Sequence, residues 1–440
     1  MQVKAQRGSS PKNKSGSISE GFTQDLKTSI MSEKLAIHGG QKSIDKSFNW
    51  PVFDEQEINA VRDIVASGKW GNPDCGDEVA RFEAEFAAYC GSKYAITCVN
   101  GSVSLRLALI ACGVKPGDEV IVPPYTFITT ASSVIECNCV PVFVDIDPAT
   151  YNISPAAIEA AITPRTKVII PVHFGGLACD MDAIMAIAKK YRLKVVEDAA
   201  HAHGAEYKGK KLGSIGHVGS FSFQSSKNLT SGEGGIVVTD DDELYAMMHS
   251  LRNVGRIEGG QWYEHYNPGC NYRITQMQAV LLSAQLRRLE AQTRLRNENG
   301  LYLNSLLAEI DGVTPLDRSA DITLHCYHIY IFKYDAAKFG GVSKDEFAAM
   351  LAAEGVPSFK GYPQPLYKQP LFQNKNFMCY AIPESVDYSS VHCPVAEQAC
   401  QTDAVWILQH AMLGEREDME AFAGAILKIQ RAVVKNSVNA

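Results

Sequence analysis

From residue 54 onward the apolar positions recur in two alternating patterns, one with helical spacing and one of short unbroken runs. DEQEINAVRDIVASGKW repeats its apolar residues at three- and four-residue intervals, which predicts a helix ending near Gly68. After the amphipathic VARFEAEFAAYCG come an apolar run, YAITCV (94–99), a small-residue turn, NGS, and a helical VSLRLALIACG. DEVIVPP (118–124), VPVFVDID (140–147), TKVIIPVHF (166–174) and KVVEDAA (194–200) are strand-like, with the helical SPAAIEAAI and DMDAIMAIAKKY separating the last three. Short apolar strands alternating with helices predict an α/β fold whose mostly parallel central sheet is flanked by helices on both faces. GSFSFQ (219–224) and GGIVVTD (234–240) follow with no room for a helix between them, so at least one strand of that sheet should be antiparallel.

From Thr275 a single helical pattern, TQMQAVLLSAQLRRLEAQTRLRNENGLYLNSLLAEI, exceeds the ~25 residues of an ordinary globular helix and predicts a bridge between domains. Beyond it, YHIYIFKYD (327–335) reads as a strand, SKDEFAAMLAAEG (343–355) as a helix and 416–436 as a terminal helix. The expected organisation is an extension over 1–34, a large domain over 35–290 and a smaller C-terminal α+β domain over 291–440. No internal repeat is visible.

Composition narrows the class. The 440 residues are 46% hydrophobic and 21% charged, ordinary values for a globular protein with a large core. A net charge of −7 leaves no basic surplus for nucleic acid or an anionic membrane. No run approaches the ~18 apolar residues of a membrane span. Twelve cysteines are scattered without a CxxC pair, so reduced, buried thiols of a cytoplasmic protein are expected rather than a zinc or disulfide framework. The opening thirty residues are polar and Ser/Lys-rich, with one arginine and no apolar core, which argues against a secretory signal and only weakly for a transit peptide. They are read as a disordered extension.

FSFQSSKNLTSGEGG (221–235) holds the candidate chemistry. A nucleotide-binding P-loop needs its glycines before the lysine and a helix after it; here the order is reversed and GEGG leads into a strand. Lys227 itself is then the reactive candidate, as an amine that condenses with an aldehyde. Pyridoxal phosphate would further require a carboxylate at its ring nitrogen, an aromatic face and donors for a phosphate. Asp198 ends a buried strand, where α/β sheets hold ligands, although a helix N-cap would look the same. Phe127 or Tyr125 offers the ring. The amides of Gly101, Ser102 and Val103 open a helix, and Ser222, with Ser225 or Ser226, adds hydroxyls.

With NGSVSLRLAL, DEVIVPPYTFITTA, PVFVDID, VVEDAAHAHGA, GSFSFQSSKNLTSGEGG and GCNYRITQMQA in this order, the chain resembles the DegT/DnrJ/StrS family of PLP-dependent sugar aminotransferases from about residue 35 on. The resemblance implies the aspartate-aminotransferase-like fold, PLP fold type I. It implies that Lys227 forms the internal aldimine with pyridoxal 5'-phosphate and then shuttles the substrate proton. It assigns Asp198 to the pyridinium nitrogen, Phe127 to stacking, and Ser222 with the 101–103 turn to the phosphate. Asn271 corresponds to the residue that reaches the phosphate of a neighbouring subunit, which implies a homodimer with shared active sites.

His201 stands where the family usually has glutamine, and a neutral imidazole could serve the same cofactor hydroxyl. A metal pair between His201 and His203 lacks a third ligand, so no metal is expected. Gln276 replaces a common acid and is read as structural. LAIHGGQKSI, GGQWYEH, FGGVSKDEF and GYPQPLYKQPLF resemble the scyllo-inosose and ketocyclitol branch, with Trp262, Tyr263, His265 and Tyr362 as candidate substrate contacts. The implied reaction passes an amino group from glutamate or glutamine to a keto-sugar or keto-cyclitol. Two alternatives are a deoxysugar dehydratase of the same fold, in which a histidine replaces the lysine, and a non-catalytic regulatory homologue.

Overall fold

The strand-like runs assemble into one seven-stranded sheet: β1 (Tyr94–Cys98), β2 (Glu119–Val122), β3 (Val140–Phe143), β4 (Thr166–Ile169), β5 (Lys194–Asp198), β6 (Val218–Ser222) and β7 (Gly235–Thr239). Their spatial order is β1-β7-β6-β5-β4-β2-β3. All pairs are parallel except those of β7, which runs antiparallel to both β1 and β6. Every position of β6 and β7 is buried; β7 accordingly reads as an unbroken apolar run, whereas β6 alternates serine with phenylalanine although it is covered on both faces. This computed structural model describes residues 34–71 and 76–438; the extension read over 1–34 lies, but for its last residue, outside the described residues.

Helices cover the sheet: α1 (Glu55–Ser67), α2 (Glu78–Cys90), α3 (Gly101–Ala111), α4 (Thr129–Glu136), α5 (Pro155–Ala161), α6 (Met181–Tyr191) and α7 (Asp242–Arg252). α1 opens on a capping box between Asp54 and Glu57 and stops at Gly68, whose φ of 68° suits a residue without a Cβ. α4 and α7 do not stand out in the sequence pattern. α4, TTASSVIE, contains weak helix formers, and it is held by burying Ala131, Val134 and Ile135 in the core.

The long pattern becomes α8 (Gln276–Leu307), begun by a second capping box between Thr275 and Gln278. Its first half packs Ala279, Leu282 and Leu289 into a core shared with β4–β7. Its second half sends Leu303 and Leu307 into a different core. That second core lies on a four-stranded antiparallel sheet in the order β8-β9-β11-β10: β8 (Val313–Pro315), β9 (Ile329–Tyr334), β10 (Ser358–Phe359) and β11 (Ala404–Leu408). It is closed by α9 (Lys344–Ala353) and α10 (Arg416–Val438). One helix thus belongs to two cores, and position 290 falls within it. β11, a five-residue run, escapes the sequence reading yet pairs with β9 along its length, with Ile331 opposite Trp406.

Candidate active site

β5 and β6 are parallel neighbours, and each ends on a residue of the site. β5 delivers Asp198, which is 5% exposed. Thr130 Oγ1, on α4, donates to Asp198 Oδ2 at 2.8 Å, and the Ala200 amide donates to Oδ1 at 3.3 Å. No helix starts at Asp198; residues 199–204 are turns. Burial raises the carboxyl above its usual range, while the Thr130 and Ala200 hydrogen bonds and the Lys227 charge pull the other way.

β6 ends at Ser222 and leads into the turn that carries Lys227. Gln224 organises this turn: its Oε1 accepts from the Ser226 amide and hydroxyl, and its carbonyl accepts from the Lys227 amide at 2.9 Å. Trp50 Nε1 donates to the Ser225 carbonyl at 2.9 Å. The Lys227 side chain is half-buried, and burial brings its pKa from 10.5 down to about 8 against the opposing charge of Asp198. An amine poised near neutrality beside a buried carboxylate is chemically competent as a nucleophile and as a proton carrier.

The start of α3 faces the same turn. A Cβ on Gly101 would lie 2.7 Å from Ser222 Cβ, and one on Gly235 would lie 2.4 Å from the Asn100 carbonyl oxygen. Glycine at both positions therefore lets the β1–α3 turn, the end of β6 and the start of β7 close on one another. Ser104 and Ser220 hydroxyls, 2.7 Å apart, tie α3 to β6. The Val103 amide, expected to face an anion, is instead engaged as α3 is capped: it donates to Asn100 Oδ1 at 2.9 Å. Among the described residues the amides of Gly101 and Ser102 have no such partner. Ser222 Oγ accepts from the Gln224 amide at 3.3 Å, leaving its proton for an incoming acceptor. Two helix-N-terminal amides and a hydroxyl form a donor set suited to a phosphate.

Of the two candidate rings, the structure presents one. Phe127 is 57% exposed on the loop after β2, whereas Tyr125 is 1% exposed and accepts from Trp406 Nε1 at 3.1 Å. His201 Nδ1 accepts from the Gly175 amide at 3.4 Å, and its ring lies 4.2 Å from that of His328. His328 Nδ1 in turn donates to Asn228 Oδ1 at 3.0 Å while Asn228 Nδ2 donates to the Cys326 carbonyl at 2.9 Å, which fixes both orientations. Burial lowers His201 and His328 well below the usual histidine range, and Lys227 adds to the effect, so both are neutral. His203 is pushed down to about 3 by burial and packs against Phe221 and Phe223.

The outer candidates are more dispersed. Trp262 and Tyr263 are exposed and stacked on each other, and His265 Nδ1 donates to the Val254 carbonyl at 2.8 Å. Asn271 is exposed and lies opposite Asn253 in an isolated bridge; no hydrogen bond joins it to Lys227, Asp198 or Ser222 among the described residues. Tyr362 stacks edge-on against Trp406 at 4.9 Å, and burial and the charge of Asp198 push its phenol up. Gln276 accepts from the Val79 amide at 3.1 Å and donates to the Gly76 carbonyl at 2.8 Å, pinning the segment before α2 to α8.

Sequence reasoning missed Thr130, Asn228 and His328, and also Glu197. The fully buried Glu197 accepts from His173 Nε2 at 2.9 Å and from the amides of Gly213, Ile215 and Gly216 at 2.8, 2.7 and 2.5 Å. Burial alone would raise it, but these hydrogen bonds prevail and hold it below the usual carboxylate range. Its signal was the acid next to Asp198 in VVEDAA, since neighbours in a strand face opposite sides.

Comparison with known proteins identifies the family. The family model described as the DegT/DnrJ/EryC1/StrS aminotransferase family matches residues 51–418. A putative L-glutamine:3-amino-2,3-dideoxy-scyllo-inosose aminotransferase from Streptoalloteichus tenebrarius is 38% identical, over 92% of this chain and 99% of its own. A pleiotropic regulatory protein from Geobacillus stearothermophilus is 41% identical, over 78% of this chain and 89% of its own. The crystal structure of 3-amino-5-hydroxybenzoic acid synthase superposes with a TM-score of 0.79 at 35% identity, over 88% of this chain and 98% of that one. With Lys227, Asp198 and the Gly101 turn converging at the ends of β1, β5 and β6, the chain belongs to the DegT/DnrJ/EryC1/StrS aminotransferase family.

Proposed function

We propose that this aminotransferase uses pyridoxal 5'-phosphate, works as a homodimer, and moves an amino group from glutamine or glutamate to the ketone of a scyllo-inosose-like cyclitol or a keto-sugar. The observation that carries the reading is the pairing of a half-buried lysine, brought to about 8, with the buried Asp198 on the neighbouring strand. The residues present fit the cofactor: Gly101 leaves a cradle that a Cβ would fill, and the amides of Gly101 and Ser102 with the Ser222 hydroxyl suit its phosphate. When bound, the cofactor supplies an aldehyde carbon and a ring that accepts an electron pair.

The chain's own residues supply the rest. Lys227 would hold the aldehyde carbon covalently and, once displaced by a substrate amine, its neutral amine takes and returns the proton. Asp198, whose ionised form the Thr130 hydrogen bond favours, would hold a proton on the ring nitrogen. Phe127 offers its exposed face to the ring, and the neutral His201 would meet the ring hydroxyl. The cyclitol acceptor and the glutamine donor are supported by the Streptoalloteichus relative and by the exposed Trp262 and Tyr263. Homodimerisation is supported by Asn271, which faces outward, as a group serving a partner's phosphate would.

Purified protein should be yellow, borohydride should abolish the colour and fix the cofactor to Lys227, and Lys227→Ala should lose both colour and transamination. A colourless protein refutes the reading. A regulatory role is suggested by the Geobacillus relative, and a spectral half-reaction separates the two. Glutamine or glutamate alone should bleach the colour of a transaminase; absence of any change with either donor would favour the regulator.

A further inference from the structure

Behind the Lys227 turn, a second set of polar groups is left without partners. Arg296, on the inward face of α8, is fully buried, yet no carboxylate pairs with it among the described residues. Its Nε donates to the Gln409 carbonyl at 3.3 Å and its Nη2 to Gln409 Oε1 at 2.5 Å. Its Nη1 has no partner, nor does Gln409 Nε2, although these two atoms belong to groups already joined by a hydrogen bond. Thr293 Oγ1, one helical turn earlier on the same face, is likewise unpartnered.

Among the described residues no carboxylate couples to Arg296, and Glu290, which reaches toward Thr293 through Tyr89, is already paired with Lys211. The titratable groups that couple to Arg296 are Cys326, His203, His328 and His410. Burial keeps the thiol protonated and the three imidazoles neutral. Burial brings Arg296 down to about 9, which still leaves the guanidinium charged at neutral pH. A buried charge with no counter-charge is strongly destabilising. A water molecule could occupy the free donors but would not neutralise them.

We propose that Arg296 Nη1, on the same helix face as the unpartnered Thr293 hydroxyl, and Gln409 Nε2 form a buried binding site for a small monoanion of halide size. The Trp50 ring lies 5.4 Å over the guanidinium, and its indole is tied to the Ser225 carbonyl. The complete burial of Arg296 beneath this ring favours a single-atom anion over a five-carbon amino acid. Bound there, the anion would neutralise the seam where α8, the 203–204 turn and the 409–410 turn meet. Gly204 marks this seam, since a Cβ on it would lie 2.7 Å from Thr293 Oγ1. The site contains none of the residues assigned to the cofactor, so its test stands apart from the transaminase reading.

The test uses purified holoenzyme prepared in gluconate and then crystallised with bromide. An anomalous bromine peak within hydrogen-bond range of both Nη1 and Nε2 is expected. Density there without an anomalous signal, or a carboxylate of added glutamate in its place, overturns the proposal. In solution, bromide or chloride should raise the thermal midpoint by ~2–4 °C relative to gluconate at equal ionic strength, with a saturable dependence. A response that rises linearly without saturating overturns it. Gln409→Leu retains the backbone acceptor of Arg296 and should abolish the saturable component; if it survives unchanged in a folded Gln409→Leu protein, the assignment is wrong. Should that variant not fold, the bromide map of the wild-type protein still decides.

Discussion

Asp198→Asn should make Lys227 a better trap for the cofactor and at the same time a much poorer catalyst. In the apoprotein, burial brings the Lys227 amine from 10.5 to about 8, and the neighbouring Asp198 charge limits that fall. At pH 8 about half of such amines are neutral, against ~0.3% for an ordinary lysine, a ~160-fold gain in nucleophile. Removing the carboxylate's charge removes the opposing influence, so the midpoint should move below 8. The rate at which apoprotein captures pyridoxal phosphate, followed by its visible band between pH 6 and 10, reads this directly. Wild-type should show a midpoint near 8, and Asp198→Asn a lower one with faster capture at neutral pH. Turnover should nonetheless fall by ~10²-fold or more, because on the proposed function the ring nitrogen would lose its ionic partner. A wild-type midpoint near 10, or an upward shift in the variant, would refute the reasoning. Stability has a matching sign. Between about 8 and 10.5 the unfolded lysine binds more protons than the folded one, so this group makes the apoprotein more stable as pH rises through that window.

Thr130→Val deletes the 2.8 Å hydrogen bond to Asp198, a bond to a charged group worth ~1.5–3 kcal/mol. That should raise the carboxyl by ~1–2 pKa units and carry the acid limb of the kcat/KM profile upward with it; an unmoved limb would show that Thr130 does not tune Asp198. Gly101→Ala places a Cβ 2.7 Å from Ser222 Cβ, an overpacking of ~1–3 kcal/mol. Dialysis against phosphate should strip cofactor faster from this variant than from wild-type, and equal retention would count against the cradle. Glu197→Gln replaces an acceptor of four donors with a group that carries donors of its own, and urea denaturation should register a loss of ~3–5 kcal/mol. A loss below ~1 kcal/mol would mean that the four donors find other partners.

The sequence discloses those parts of this molecule whose signals are local. Short apolar runs mark most strands of the central sheet because strands buried on both faces must be largely apolar. Lys227 stands out because its turn has the wrong order for a nucleotide loop. What stays hidden depends on contacts between residues far apart in the chain. Thr130 is one of several hydroxyl residues in TFITTASS, and only the packing of α4 against β5 selects it as the partner of a residue 68 positions away. Asn100 looks like any turn residue, yet by capping α3 it claims the Val103 amide and reduces the expected three-amide cradle to two. Phe127 and Tyr125 are indistinguishable as letters; their roles separate only when Trp406, on the other sheet, donates to the tyrosine hydroxyl and draws it into the core.

The pair Glu197–Asp198 shows how one strand serves two ends. Consecutive side chains of β5 project to opposite faces, so two adjacent acids cannot share a task. Glu197 meets His173 and three amides of the 213–216 turn, which leads into β6 and so holds in place the strand that ends at Ser222. Among the described residues the Asp198 carboxylate meets only the Thr130 hydroxyl and, at 3.3 Å, the Ala200 amide, and its remaining lone pairs are left for the site. The carboxylate with many donors is held below the usual range, whereas the one with few is raised by its burial. The difference in donor number therefore divides the labour. Glu197 is a fixed charge that fastens the turn leading to β6, and Asp198 is an incompletely satisfied one which, on the proposed function, a protonated ring nitrogen beside Lys227 would complete.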